Sequence, residues 1–85
     1  MSVTTSEQIR NYIISGLKCD HIEVHGDDGA HFEALIVSSE FEGLNRIRRH
    51  QLVYAALGNR MDTGEIHALS MRTLTPEEYK AEQNG

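Results

Sequence analysis

A pair of β-type segments separated by a Gly/Asp turn constrains the fold of this chain most strongly. Apolar and polar side chains alternate with a period of two from His21 to His25, and β-forming residues dominate from His31 to Ser38. Gly26-Asp27-Asp28-Gly29 lies between the two segments. It is a strong turn sequence, because glycine tolerates positive φ and aspartate bonds to nearby backbone groups. The sequence therefore predicts a β-hairpin.

A helical pattern precedes this hairpin. Apolar residues recur there at spacings of three and four, which predicts a helix from about residue 5 to residue 17. Two pairs of residues are spaced to form a capping box at its start. They are Thr4 with Glu7 and Thr5 with Gln8.

The second half of the chain predicts helices around a third strand. Ser38-Ser39-Glu40 can start a short helix, and a longer helix is predicted from Asn45 to Met61, with Gly64 placed to end the segment. The longer helix has one apolar stripe, made of Ile47, Tyr54, Leu57 and Met61, with Val53 beside it. Alternation predicts a strand from Glu65 to Arg72, and Thr75-Pro76-Glu77-Glu78 is a helix-start signature.

These elements follow the order αββααβα. A helical crossover joins the second strand to the third, which allows the two to be parallel, whereas a hairpin is antiparallel. A chain of 85 residues is too short for a second compact domain. The sequence therefore predicts a single α+β domain over residues 1–85, a three-stranded mixed sheet with helices packed on one face.

Composition and missing motifs exclude several classes of protein. The longest apolar run, Ala34–Val37, has four residues, whereas a membrane span needs roughly 18, and no signal peptide is visible. The single cysteine, Cys19, allows no internal disulfide. Phosphate-binding glycine loops and serine-nucleophile motifs are absent from the sequence. We therefore expect a cytoplasmic protein that is not an enzyme.

Charge is distributed unevenly along the chain. The net charge is −5, yet residues 44–61 contain four arginines and no acidic residue. The start of the longer predicted helix holds Arg46, Arg48, Arg49 and His50. Arginine side chains at this position, together with the helix dipole, could hold phosphate. The alternative is a solvated helix face with Arg48 and Arg49 turned outward.

Histidine is unusually frequent, with five residues in 85. Imidazole is the commonest protein ligand for borderline-soft metals. His21 and His25 share one face of the predicted first strand but stand roughly 13 Å apart, whereas hairpin pairing could bring His25 close to His31. For each histidine the alternative is an ordinary surface or hydrogen-bonded side chain. A zinc site formed by this chain alone is a further hypothesis.

Five segments, in order between residues 7 and 80, resemble the BolA family. They are His31–Ser38, Phe41–Gly43, Arg49–Tyr54, Ile66–Ser70 and Leu74–Glu78. The short hairpin loop makes the chain most similar to the subgroup called IbaG or YrbA. The resemblance implies a fold similar to that of class II KH domains, in which the elements follow the same order αββααβα.

The resemblance also implies a partner and a cofactor. Family members pair with a monothiol glutaredoxin, and a [2Fe-2S] cluster is held by the glutaredoxin cysteine, the cysteine of glutathione and two residues of the BolA-like protein. His67, in the motif Ile66-His67-Ala68, matches one of these two ligands. The other is a histidine or cysteine of the first hairpin loop, where this chain offers His25 and His31. We expect no cluster in the isolated chain, which would be a monomer or a weak homodimer.

Iron–sulfur cluster trafficking, or iron and stress sensing, is the function that this resemblance implies first. Family members are also described as DNA-binding regulators, so DNA binding through the basic helix 44–61 is the alternative. KH domains grip nucleic acid with a Gly-x-x-Gly loop. This chain has Gly43-Leu44-Asn45-Arg46 in the corresponding place.

Overall fold

The computed structural model describes residues 4–26, 29, 31–64, 66 and 68–84. Within these ranges the chain forms three α-helices, one 3-10 helix and three strands. They are α1 (Ser6–Gly16), β1 (His21–His25), β2 (His31–Val37), the 3-10 helix (Ser39–Phe41), α2 (Arg46–Leu57), β3 (Ala68–Leu74) and α3 (Pro76–Asn84). The predicted α+β class and order of elements are confirmed, with the short middle helix of the 3-10 type.

The sheet has the strand order β1-β2-β3. β1 is antiparallel to β2, with His21 opposite Val37 and His25 opposite Glu33. β2 is parallel to β3, and their register runs from His31 opposite Ala68 at one end to Val37 opposite Leu74 at the other. Both the hairpin and the parallel pair are therefore confirmed. Asp27 and Asp28 of the predicted turn lie outside the described residues.

The core lies between one face of the sheet and the first two α-helices. Alternate residues of β2 are buried on this face. They pack with buried side chains of α1 and α2 in one cluster, whose members include Ile9, Ile13, Phe32, Ala34, Ile36, Val53 and Leu57. The two helices approach closely, because a Cβ atom added to Gly16 would lie 2.8 Å from the Cα of Ala56.

Helix α3 lies on the opposite face of the sheet, which differs from the predicted arrangement with helices on one face. The ring of Tyr79 in α3 stacks on His21, with centroids 5.0 Å apart. His21 points away from the core, since its neighbour Ile22 is buried there. Arg72 of β3 and Glu82 of α3 form an ion pair. The short C-terminal helix can be accommodated on the second face because it covers only one end of the sheet.

Predicted capping residues define the starts of α1 and α3. The Thr5 hydroxyl accepts a hydrogen bond of 3.1 Å from the backbone N–H of Gln8, and the Gln8 side chain accepts one of 3.0 Å from the N–H of Thr5. Thr75 and Glu78 make the same reciprocal pair, at 3.1 and 2.9 Å. Of the two capping boxes considered for the first helix, Thr5 with Gln8 is the one that forms.

The predicted end of the longer helix is wrong. α2 stops at Leu57 because Gly58 adopts a φ of +67°, a conformation that glycine favours, and turns occupy residues 58–64. The predicted apolar stripe is wrong as well, since Ile47 is 69% exposed and Tyr54 is 41% exposed. Val53 and Leu57 are the buried residues of α2, because they face α1 and the sheet.

The third strand begins and ends later than predicted. β3 spans Ala68–Leu74 rather than 65–72, since Thr73 and Leu74 continue the register with Ile36 and Val37. Ile66 precedes the strand and is buried, with its N–H bonded to the carbonyl of Arg60 at 3.2 Å. In the part of the chain that the structure describes, no helix has the length and apolar character needed to cross a membrane.

Candidate functional site

Two of the three candidate metal ligands lie at one end of the sheet. His25 is the last residue of β1, and His31 is the first residue of β2. Their sequence neighbours Val24 and Phe32 pack with the core. Because side chains alternate along a strand, His25 and His31 both point to the opposite face of the sheet. His67, the ligand that the family resemblance implies most directly, lies outside the described residues.

His25 belongs to a small polar cluster on β1. Its side chain is 72% exposed, and its Nε2 lies 3.4 Å from one carboxylate oxygen of Glu23. The other oxygen of Glu23 lies 2.6 Å from Nε2 of His21. Hydrogen bonds from these two imidazoles lower the pKa of Glu23, so the carboxylate stays ionised and accepts from both rings.

His31 occupies a different position relative to the third strand. Its Cα pairs in register with that of Ala68, the residue that follows His67 in the sequence. His25 pairs instead with Glu33 on β2, so β2 separates it from β3. A shallow depression of about 720 Å³ is nevertheless lined by His25, His31 and Ala68 together.

The described residues do not form a complete metal site. Among residues 4–26, 29, 31–64, 66 and 68–84 there is no group of three or more His, Cys, Asp or Glu side chains that could hold one ion. Cys19 is half-buried and donates a hydrogen bond of 3.4 Å to the carbonyl of Leu17. Burial, followed by the charges of Asp20 and Glu40, raises the pKa of this thiol, which disfavours the metal-binding thiolate.

The basic segment divides into exposed arginines and an internally bonded one. Arg46 and Arg48 are exposed at the start of α2. Arg49 has a side chain that is only 14% exposed, and it pairs with Glu78 at 2.8 Å. It also donates to the carbonyls of Leu44 and Thr73, at 2.8 and 3.0 Å. The structure therefore shows a structural role for Arg49, and its contact with a partner or nucleic acid stays a prediction.

His50 is half-buried beside the exposed arginines. Burial, and to a lesser degree the charge of Arg46, lowers its pKa, so the imidazole is neutral at neutral pH. A cavity of about 500 Å³ separates this part of α2 from β3 and is lined by Arg46, Arg49, His50 and Arg72, among others. Three arginines line this groove, of which Arg49 and Arg72 are paired with Glu78 and Glu82.

Several residues of these surfaces were not predicted from the sequence. Glu23 is bonded to two histidines, and local alternation offered no sign of a functional carboxylate there. Glu78 was assigned only as a helix cap, although it also holds Arg49, 29 positions earlier. A pairing over such a distance leaves no local pattern, so only the folded chain reveals it.

Comparison with protein families gives one match that covers most of the chain. Residues 9–78 match the BolA family model, described as BolA-like protein. The acid stress protein IbaG of Escherichia coli is 31% identical over 74 residues, which are 87% of this chain and 87% of that protein. The DNA-binding transcriptional regulator BolA of Haemophilus influenzae is 38% identical over 60 residues, which are 68% of this chain and 57% of that protein.

Another relative matches fewer residues of this chain but at a higher sequence identity. The chloroplastic protein BOLA1 of Arabidopsis thaliana is 52% identical over 52 residues, and the match covers 61% of this chain but only 32% of that longer protein. Among solved structures, a bolA protein homologue from Coxiella burnetii superposes with a TM-score of 0.75 at 42% identity, over 91% of this chain and 97% of that one.

Proposed function

Because this chain belongs to the BolA family, we propose that it is a non-enzymatic partner of a monothiol glutaredoxin and co-ligates a bridging [2Fe-2S] cluster. In this proposal the glutaredoxin and glutathione supply the cysteine ligands, and this chain supplies two imidazoles. The proposed role is iron–sulfur cluster trafficking or the sensing of iron and stress, which also suits the name of the acid stress relative.

The donor set supports a shared cluster better than a site belonging to this chain alone. His31, one of the two candidate companions of His67, opens onto a depression of the surface that His25 also lines. The described residues provide no third ligand there. A [2Fe-2S] cluster takes four terminal ligands, two on each iron. Two imidazoles from this chain therefore leave two terminal positions for ligands from elsewhere.

Strand geometry favours His31 over His25 as the companion of His67. Neighbouring strands lie about 4.8 Å apart, so the Cα of His31 stands roughly that distance from the Cα of Ala68. His67 is one residue, or about 3.8 Å, from Ala68 along the chain. His25 is a further strand away, roughly 10 Å from β3. From this spacing of Cα atoms alone, we infer that His31 is the companion of His67.

The chemistry of imidazole suits a labile site. A [2Fe-2S] cluster with histidine in place of thiolate carries less negative charge and has a higher reduction potential. Binding through neutral imidazole depends on pH, because protonation removes the lone pair that the metal needs. Both properties favour release and transfer of a cluster over its permanent retention.

Cluster transfer in the heterodimer tests this proposal. Cluster-loaded monothiol glutaredoxin with glutathione is mixed with the full chain, and the visible circular dichroism of the mixture is recorded. We expect His67→Ala and His31→Ala to abolish the heterodimer spectrum, whereas His25→Ala, the matched control on the same surface, retains it. Thermal unfolding of each variant verifies that the fold is intact.

Two results would contradict the proposal at different points. If His67→Ala leaves the spectrum unchanged, His67 is not a ligand, and the proposed shared cluster is contradicted. A spectrum lost with His25→Ala but kept with His31→Ala leaves the shared cluster in place and refutes the assignment from strand geometry.

DNA binding is the second candidate function, and the exposure of Arg46 and Arg48 favours it. One relative also has DNA binding in its name. Binding to duplex DNA should weaken with salt, and the slope should fall by about one for each of Arg46 and Arg48 removed. Arg49 is bonded within the chain and should contribute less. Lack of retention on DNA at low salt would eliminate this candidate.

A further inference from the structure

The outward side of α2 exposes large apolar side chains. Ile47 and Tyr54 are 69% and 41% exposed and stand two helical turns apart, so they lie on the same side of the helix. Gln51 lies between them and is also exposed. We call these three residues the α2 strip. At its end, Tyr54, Gly58, Met61 and Asp62 line a shallow cavity of about 330 Å³.

Positive charges flank the α2 strip on both sides. Arg46 and Arg48 are adjacent to Ile47 in the sequence, and successive residues of a helix are turned by about 100°. The two exposed arginines therefore stand on opposite edges of the strip. Residues 44–61 contain no acidic side chain. A complementary surface needs an apolar ridge with carboxylates along both of its edges.

We propose that the α2 strip is a docking surface for an acidic amphipathic helix of another protein. A helix with apolar residues at spacings of three and four places a continuous ridge against Ile47 and Tyr54. Its flanking glutamates or aspartates then face Arg46 and Arg48. Opposite charges at the rim guide the approach, while burial of the two apolar side chains contributes most of the affinity.

The part of the chain that the structure describes offers no matching surface. α3 is the acidic helix, but the large apolar side chains exposed in the described residues are Ile14, Ile47 and Tyr54, and none of these is in α3. A second copy of α2 would offer no carboxylates to these arginines, because residues 44–61 contain no acidic side chain. Nucleic acid would satisfy the arginines but leave Ile47 facing phosphates. An acidic helix of another protein satisfies both parts of the surface.

The start of the α2 strip and His31 lie toward opposite ends of β3. Arg49, near the start of α2, reaches the carbonyl of Thr73 toward the end of β3, whereas His31 pairs with Ala68 at the beginning of β3. Thr73 lies five residues after Ala68 in the strand, which corresponds to roughly 17 Å. The start of the strip is therefore separate from the proposed cluster site.

A synthetic peptide provides a direct test with the full chain. The probe is an amphipathic helix of about 18 residues with leucines every third or fourth position and glutamates on both flanks, and a second peptide has lysines in place of the glutamates. Backbone chemical shifts should change along the exposed side of α2 with the glutamate peptide alone. Ile47→Glu and Tyr54→Glu should each raise Kd roughly tenfold or more.

Ile14→Glu is the matched control, because Ile14 is a similarly exposed apolar residue on α1. We expect it to leave Kd unchanged, and circular dichroism should show all three variants folded. Equal binding of the lysine peptide, no binding of either peptide, or an effect of Ile14→Glu as large as that of Ile47→Glu would overturn the proposal. Displacement of the peptide by duplex DNA would assign the surface to nucleic acid, and self-association abolished by Ile47→Glu would assign it to a second copy.

Discussion

Arg49 joins α2 to β3 and α3, through residues 24 and 29 positions later in the sequence. Its guanidinium donates to the carbonyl of Leu44 before α2 and to the carbonyl of Thr73 in β3, and it pairs with Glu78 in α3. It also lies over the ring of Phe41, 6.0 Å from the centroid. The bond to Thr73 satisfies a carbonyl on the edge of β3 that faces away from β2. One side chain thus fixes α2 and α3 to the same end of the sheet.

Replacement of Arg49 by alanine should destabilise the fold. Hydrogen bonds from a charged donor contribute about 1.5–3 kcal/mol each when buried, but the pair with Glu78 is partly solvated and contributes less. We expect Arg49→Ala to lower the free energy of unfolding by about 2–3 kcal/mol, measured by urea denaturation. Arg48→Ala is the control, because its exposed side chain should change stability by less than about 0.5 kcal/mol. Equal effects of the two variants would contradict a structural role for Arg49.

Glu78 should make the free energy of unfolding depend on pH in the acidic range. Its hydrogen bond to Arg49, and then those to Thr75, lower its pKa in the folded protein. The resulting stabilisation is present above the unfolded pKa of about 4.3 and is lost as pH falls through the folded value. Glu78→Gln keeps a side chain able to cap α3 but removes the charge. Its unfolding free energy should therefore fall less steeply than that of the wild type below about pH 4.5, and parallel curves from pH 6 to pH 3 would refute the linkage.

Sequence reasoning at this scale identified residue types but not their individual roles. Arg46, Arg48 and Arg49 form one basic run, and nothing local distinguishes the arginine that pairs with Glu78 from the two that are exposed. His25 and His31 were equally good candidates for the same reason. Only the register of the sheet shows that His31 is paired with β3, the strand that follows His67 in the sequence.

At the scale of elements, the contact between α1 and α2 depends on a glycine. Gly16 ends α1, and a Cβ atom at this position would lie 2.8 Å from both Cα and Cβ of Ala56. The Cα belongs to the backbone of a helix, so the neighbour cannot simply rotate away. The two helices can approach this closely only because Gly16 has no side chain.

Gly16→Ala should therefore destabilise the protein although alanine favours helices. The overpacked contact should lower the free energy of unfolding by about 1–3 kcal/mol, measured by thermal or urea denaturation. Ser15→Ala, one residue earlier and exposed, is the control and should stay within about 0.5 kcal/mol of the wild type. A stabilised Gly16→Ala variant would show that the helices can separate without cost.

The starts of elements were predictable because their signals are local. Capping boxes such as Thr75 with Glu78 are made within four residues, and strand alternation in the hairpin reflects burial of one face. The end of α2 was not predictable in the same way. Gly58 and Gly64 are both suitable terminators, and the choice between them depends on how α2 packs against α1 and the sheet. The same packing selected Val53 and Leu57 for the core over Ile47 and Tyr54.

At the scale of the whole molecule, we expect the isolated chain to bind no stoichiometric metal. A stable zinc site uses about four protein ligands, and the described residues contain no group of three. Elemental analysis of the chain purified without partner should therefore find well below one equivalent of zinc or iron. The same measurement on the glutaredoxin heterodimer should find iron. One equivalent of zinc on the isolated chain would contradict this expectation and support a metal site of its own.

The parallel pairing of β2 with β3 has a consequence for related chains. The register aligns His31 with Ala68 whatever the length of the crossover, since the sheet constrains only the paired strands. Insertions between Met61 and Gly64, in the turns that precede β3, should therefore be tolerated. Loss of one residue inside β3 would instead exchange its two faces and should be eliminated by selection.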